Sequence, residues 1–129
     1  MLAIDTDLIV RYLVADDPAQ AARARRLIDN DDVFVCTTVL LETASVLRSV
    51  YGFSVARCAR ALSDFAGLPR VSMEDAAAAA KALTWMRQDM NFADGLHLAG
   101  AEGCEAFISF DQDFAKAANA LGGIKVRAP

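Results

Sequence analysis

The stretch that decides the fold is Leu2–Leu13, LAIDTDLIVRYL. Leu2, Ala3 and Ile4 make a short apolar run closed by the carboxylate of Asp5, so Met1–Asp5 reads as a buried strand. Asp7–Val14 then reads as a helix with Leu8, Tyr12 and Leu13 on one side. A strand that hands a carboxylate straight to a helix is a typical opening for an α/β fold, where sites form beyond the carboxyl ends of parallel strands.

The pattern repeats outward from there. Asp17-Pro18 sets Pro at a first helical position, and that helix runs to Asn30. Val33–Cys36 is a second strand. Thr38 opens a helix to Tyr51 that Gly52 stops, and Ser54 caps another to Phe65. Arg70–Ser72 follows as a strand, Glu74–Gln88 as an Ala-rich helix, and Phe92–Glu102 as a helix ended by Gly103. Glu105–Ser109 is a fourth strand, Asp113–Leu121 a helix, and Ile124–Arg127 a last strand. A βααβαα order implies a Rossmann-like three-layer sandwich: a mostly parallel central sheet with helices on both faces. No linker-like or low-complexity tract divides the 129 residues, so residues 1–129 are expected to be a single domain.

Composition narrows the function classes. Hydrophobic residues make up 55% and charged residues 23%, which excludes disorder. The net charge of −4 argues against binding nucleic acid by bulk charge and leaves only a local basic strip. Three cysteines, Cys36, Cys58 and Cys104, form no CxxC and cannot all pair, so they read as small core residues in a reducing, cytoplasmic protein. No apolar run approaches the roughly 20 residues of a membrane span. Asp5 and Asp7 interrupt the apolar start, so it does not read as a signal peptide.

Acids recur where the strands end. Asp5 closes the first strand, Glu42 lies one turn into the helix after the second, Asp94 sits near the start of its helix, and Asp111 follows the fourth strand with Asp113 close behind. Their contexts, LAID, VLLET, NFADGLHLA and FISFD, are apolar, and an acid in such surroundings is costly unless paired, hydrogen-bonded or metal-bound. Parallel strands can bring these positions to one end. Carboxylates without a matching Lys or Arg suit a hard divalent cation that takes oxygen ligands and completes its shell with water. Each acid also has a plainer reading. Asp5 fits the plain end of a strand, Asp7 a helix cap, Asp94 the third position of a capping box begun by Asn91, Asp111 an N-cap or turn, and Glu42 a solvated helix residue.

Taken in order, four segments resemble the motifs of PIN-domain ribonucleases, especially the VapC-type toxins of bacterial type II toxin–antitoxin pairs. They are LAIDTDLIVRYL, TTVLLETASVLRSVYG, FADGLHLAGAEGC and FISFDQDFAK, and they span the chain. The resemblance implies a PIN-like sandwich and a Mg²⁺- or Mn²⁺-dependent endoribonuclease. It implies that Asp5, Glu42, Asp94 and Asp111 are both the catalytic acids and the metal ligands, with Asp5 and Asp94 the most direct. Thr6 and Ser109 would orient carboxylates, and Asp113 could share the role of Asp111. Implied partners are a VapB-type antitoxin, a second copy of the chain, and an RNA substrate of the tRNA or rRNA class, with no membrane. Three positions depart from the family pattern: Asp7 stands for the usual Asn, Ser109 for the commoner Thr, and Gly95 for the commoner Ala, at a cost of roughly 1 kcal/mol to its helix.

Other residues fall around this frame. Arg11, Arg48 and Lys116 follow the first, second and fourth motifs and are candidate RNA-phosphate contacts, and Arg48 equally suits an antitoxin carboxylate. Arg23, Arg25 and Arg26 read as a solvated helix face. His97 falls one turn after Asp94 and reads as a packed, hydrogen-bonded histidine rather than a general base. Trp85, with Met86 and Met90, reads as core or interface. Val46–Phe53 is an apolar helical stretch that a partner helix could cover. Two competing functions remain. Asp5-Thr6-Asp7 imitates the opening of haloacid-dehalogenase phosphatases with Asp5 as nucleophile, although Ile9 stands where that family wants Thr or Val. The other is an interaction module without catalysis, which predicts no metal binding.

Overall fold

A computed structural model describes all residues, Met1–Pro129. The chain divides into an N-terminal unit, Met1–Ala77, and a C-terminal unit, Ala78–Pro129. Its elements, in order, are β1 (Leu2–Ala3), α1 (Thr6–Val14), α2 (Pro18–Asn30), β2 (Val33–Val35), α3 (Thr37–Ser49), α4 (Val55–Ala66), β3 (Val71–Met73), α5 (Ala76–Met86), α6 (Phe92–Gly100), β4 (Ala106–Ile108), α7 (Gln112–Ala120) and β5 (Lys125–Arg127). The α/β reading stands: every pair of strands is parallel, and helices connect them.

The parallel strands form two ladders rather than one continuous set of pairings. In the N-terminal unit β1, β2 and β3 are neighbours in that order, with Leu2 opposite Val33 and Val33 opposite Val71. Helices α1 and α2 link β1 to β2, and α3 and α4 link β2 to β3. Val33 and Val35 are fully buried in the central strand, where β-branched side chains fill a surface covered on both faces. Around them pack Ile9, Leu40, Leu47, Leu62 and Phe65, and Tyr12 meets Phe65 edge-on at 5.7 Å. In the C-terminal unit β4 pairs β5 through α7, with Phe107 opposite Val126. Its core gathers Met90, Leu98, Phe114, Ala118 and Val126, with Trp85 and Phe107 packed against it, as expected of Trp85.

Local chemistry sets the ends. Asp17 caps α2 by accepting from Gln20 N–H, and Pro18 occupies the first turn. Ser54 caps α4 through Arg57 N–H, and Asn91 caps α6 through Asp94 N–H. Cys36, at the start of α3, offers no side-chain cap. The orphan N–H of Thr37 is instead met at 2.9 Å by Glu74 Oε1, from the end of β3. Glu74 therefore ends a strand and does not open α5, which begins at Ala76. Gly52, at φ +66°, lets the chain turn out of α3, so that Phe53 N–H reaches Leu47 C=O.

Several local expectations are corrected. The buried residues of α1 are Thr6, Ile9 and Val10, while Leu8, Tyr12 and Leu13 are half-buried, and the helix begins at Thr6 rather than Asp7. The cap of α1 is Asp5, not Asp7. Val46–Phe53 is not a free helical face: α3 ends at Ser49, Leu47 and Phe53 are core, and only Val50 stands out at 69% exposure. Cys58 is a core residue as expected, but Cys104 is exposed and Cys36 half-buried.

Candidate active site

The N-terminal unit fixes the first acid by the strand-to-helix junction itself. Ile4 is buried and donates its N–H to Phe34 C=O, which ties the end of β1 to β2. Asp5 follows in extended conformation, and its Oδ1 accepts from Thr6 N–H at 2.7 Å. An ordinary N-cap reaches the second or third helical N–H. Asp5 reaches only the first, and its Oδ2 makes no hydrogen bond. Beside it Thr6 is buried, and its hydroxyl is the one buried side-chain polar atom without a hydrogen-bond partner. A buried hydroxyl with no partner is costly, about 1–3 kcal/mol, and calls for a functional reason.

The remaining residues of this unit sit further from expectation. Glu42 is exposed on α3; the buried side of that helix is Leu40, Thr43, Ala44 and Leu47, so its apolar sequence neighbours point inward while it points out. Arg11 is engaged within the chain. It donates to Gln20 Oε1 at 2.7 Å, to Asp16 Oδ1 at 3.1 Å and to the Tyr51 hydroxyl at 3.1 Å. The hydrogen bond with Tyr51, helped by Asp16, holds the guanidinium pKa above its usual value. Arg48 donates to Phe53 C=O at 2.6 Å, across the turn that ends α3. Arg23 and Arg26 are solvated as expected, and Arg25 lies 5.5 Å over the Tyr12 ring.

In the C-terminal unit, Asp94 is half-buried in the first turn of α6, where its N–H donates to Asn91 Oδ1 at 3.2 Å. That is half of the expected capping box; no return bond from the Asp94 carboxylate to Asn91 N–H closes it. Gly95, next to it, is buried, and a Cβ there would stand 3.3 Å from both Cα and Cβ of Ala82 on α5. Glycine at this place lets α5 and α6 approach closely, which accounts for its presence in a helix. His97 is exposed, contrary to the packed reading.

Asp111 comes from a tightly held turn after β4. Ser109 N–H donates to Arg127 C=O, Ser109 Oγ accepts from Asp111 N–H at 3.0 Å, and Asp111 Oδ1 accepts from Phe114 N–H at 3.0 Å. Asp111 is thus a full N-cap of α7, and Ser109 steadies its backbone rather than its carboxylate. Asp113 lies in the first turn and Lys116 one turn on, both exposed.

Neither unit by itself gathers three or more His, Cys, Asp or Glu side chains into a metal-holding group. Within the N-terminal unit, the Asp5 carboxylate and the unpartnered Thr6 hydroxyl beside it in sequence are oxygen donors of the kind a hard divalent cation takes. Mg²⁺ often takes only one or two carboxylates and fills its octahedron with water. Sequence reasoning does not single out Glu74, a strand-end acid used to cap α3, or Phe110, the most exposed large apolar side chain at 85%. A large apolar residue one step past a strand, in a polar turn, is the signal that could have found Phe110.

Compared with known proteins, the chain matches the PIN domain family over residues 2–120. The match runs from β1 through α7, contains all four motif acids and stops short of β5. A search of curated proteins finds no matching relative.

Proposed function

The chain belongs to the PIN-domain family, and from that premise we propose that it is an endoribonuclease and the toxin of a bacterial type II toxin–antitoxin pair. PIN domains are in general Mg²⁺- or Mn²⁺-dependent nucleases, and that coarser class is this chain's own. The α/β build with parallel strands agrees with a PIN-like sandwich. The family match spans both units, which supports reading residues 1–129 as one PIN domain. The observation that best supports a hydrolytic site in this chain is the Asp5–Thr6 junction, where a carboxylate is followed by a buried unpartnered hydroxyl at a strand's carboxyl end.

In this reading Asp5 and Asp94 would hold the metal directly, and Glu42 and Asp111 would complete the set by holding it, positioning water or accepting a proton. When bound, Mg²⁺ or Mn²⁺ polarises the phosphoryl group and makes water a better nucleophile near neutral pH. The chain's residues do the rest. Thr6 N–H orients the Asp5 carboxylate, and Ser109 fixes the Asp111 backbone. Lys116 is free to meet an RNA phosphate. Arg48 and Arg11 reach phosphate only by exchanging present partners, Phe53 C=O for one and Asp16, Gln20 and Tyr51 for the other. The substrate class is tRNA or rRNA, and the compartment that goes with a toxin acting on such RNA is the cytoplasm.

The partners are a VapB-type antitoxin and a second copy of the chain. A groove of about 370 Å³ between α1 and α2 supports the antitoxin reading better than Val46–Phe53 does. Leu8, Ala24 and Leu27 give it an apolar lining, and Arg11, Arg23 and Asp7 charge its rim, which suits an amphipathic segment. The deciding experiment is cleavage of RNA by the purified protein with Mn²⁺, with EDTA, and in Asp5→Asn and Asp94→Asn. Cleavage that needs Mn²⁺ and is lost in both variants supports the proposal, and full activity in EDTA or in either variant refutes the metal mechanism. Expression alone should slow growth, and co-expression of the adjacent small gene should restore it. A chain that is harmless alone and binds no product of that gene is not a toxin of this kind.

A further inference from the structure

Phe110 lies in the turn between β4 and α7 with 85% of its surface exposed. Leaving such a ring in water is a standing cost. Its backbone is nonetheless held on both sides. Ser109 N–H is bound to Arg127 C=O, Ser109 Oγ accepts from Asp111 N–H across Phe110, and Asp111 is locked as the cap of α7. The ring is therefore displayed from a rigid turn. Its sequence neighbours Ser109, Asp111, Gln112 and Asp113 are polar, and the only other exposed large apolar side chain of this unit is Ile108.

Two side chains among carboxylates make a poor core for a protein interface, which usually needs about 800 Å² per partner around an apolar centre. They suit a different occupant. Unpaired bases of RNA are commonly held by stacking on aromatic side chains while cations take the phosphates. Cations are at hand: Arg127 is the register partner of Ile108, at the end of the ladder from which the turn departs, and Lys116 is exposed on α7, which the turn leads into. Consecutive Cα atoms are about 3.8 Å apart, so a phosphate handled at Asp111 leaves the base of the same or the next nucleotide within reach of residue 110.

We propose that Phe110 is a stacking platform for an unpaired base next to the phosphate cleaved, and so a substrate-positioning residue that restricts cutting to single-stranded or looped RNA. The inference rests on the nuclease reading above. The ring touches a base by its π-face, so it favours unpaired structure over any one base, and purines, with the larger faces, should bind best.

The test uses the full chain and a short single-stranded RNA carrying 2-aminopurine near the cut site. Steady-state cleavage with Mn²⁺ is compared in wild type, Phe110→Ala, Phe110→Leu and Phe110→Tyr. Fluorescence of the bound RNA is read in an Asp5→Asn background, which stops turnover. Phe110→Ala should raise KM by about five- to a hundredfold with kcat nearly kept, and should abolish the quenching of 2-aminopurine. Phe110→Tyr should restore both, and Phe110→Leu neither. Wild-type KM and quenching in Phe110→Ala would overturn the inference while leaving the nuclease reading intact. Rescue by Phe110→Leu, or a changed oligomeric state with unchanged RNA binding, would make Phe110 an apolar protein contact and equally overturn it. A wild-type protein that neither binds nor cuts RNA with Mn²⁺ would sink this inference and the nuclease reading together.

Discussion

Two turns of the molecule use the same parts differently. At Asp5-Thr6 and at Ser109–Asp111 a short parallel strand ends in a hydroxyl and a carboxylate, and a helix begins. At the second turn both side chains take part in holding the backbone, and the acid caps the helix in the ordinary way. Ser109 Oγ takes Asp111 N–H, and Asp111 takes Phe114 N–H in the manner of an ordinary cap. At the first, Asp5 touches only the N–H beside it, and the Thr6 hydroxyl has no partner at all. The contrast shows that a strand-end acid is not by itself a sign of chemistry. Asp111 would stand where it does even in a protein without a reaction, whereas Asp5 and Thr6 together have no complete structural account.

The largest expected effect separates charge from capping. Asp5→Asn should reduce Mn²⁺-dependent RNA cleavage by about a thousandfold or more, as loss of several kcal/mol of metal-assisted stabilisation implies. Asp111→Asn keeps a good cap, so its activity reports on the charge alone. A loss as deep as that of Asp5→Asn makes Asp111 a full member of the site, and wild-type activity leaves it a cap. Next in size, Gly95→Val should lower stability by about 1–3 kcal/mol by overpacking α6 on α5, measured by urea denaturation. An unchanged midpoint would mean that the approach of Ala82 is slack.

Smaller effects sharpen the contrast itself. Asp111→Ala should cost about 1 kcal/mol, or roughly 3–5 °C in melting temperature, in EDTA, while Asp5→Ala should cost clearly less because its cap is incomplete. Equal losses would abolish the distinction between the two turns. Thr6→Val should leave the metal-free protein as stable or raise its stability by up to about 1 kcal/mol, since it removes a buried unsatisfied hydroxyl, and Ser109→Ala should lower it by about as much. A drop for Thr6→Val would show that its hydroxyl has a partner after all. The smallest effect compares thiols of the two units. Burial pushes the Cys58 thiol up, so the folded protein holds that proton more tightly than the unfolded chain. The stability it contributes is complete below the unfolded thiol's value and lost as pH rises through the folded one. Cys104 should react with a thiol reagent at once and Cys58 only on unfolding; immediate reaction of both would contradict the buried placement.

Most of the fold is legible in the sequence because each element carries a local signal: Pro18 at a first turn, Ser54 and Asn91 as caps, Gly52 at positive φ, Val33–Val35 as a buried run. What is not legible depends on direction rather than type. The apolar neighbours of Glu42 suggest burial, yet on a helix the residues on either side face elsewhere, and Glu42 points out. His97 departs from expectation for the same reason. Glu74 reads as the start of α5 because its partner, Thr37 N–H, lies 37 residues away and no local pattern announces it. The order of the four acids is plain in the sequence, but their separate duties as caps and free carboxylates emerge only from which N–H each one meets.

Asn119 carries a consequence of another kind. Its side-chain amide donates to Val126 C=O and accepts from Val126 N–H, both at 2.9 Å, so it mimics a further strand laid along β5. β5 is the last strand of its ladder, and Val126 would otherwise present a free donor and acceptor at the rim. An open rim of that sort recruits strands from other molecules and seeds precipitation. One amide on α7 occupies the outward donor and acceptor of Val126, so this edge has less to offer a strand from another molecule.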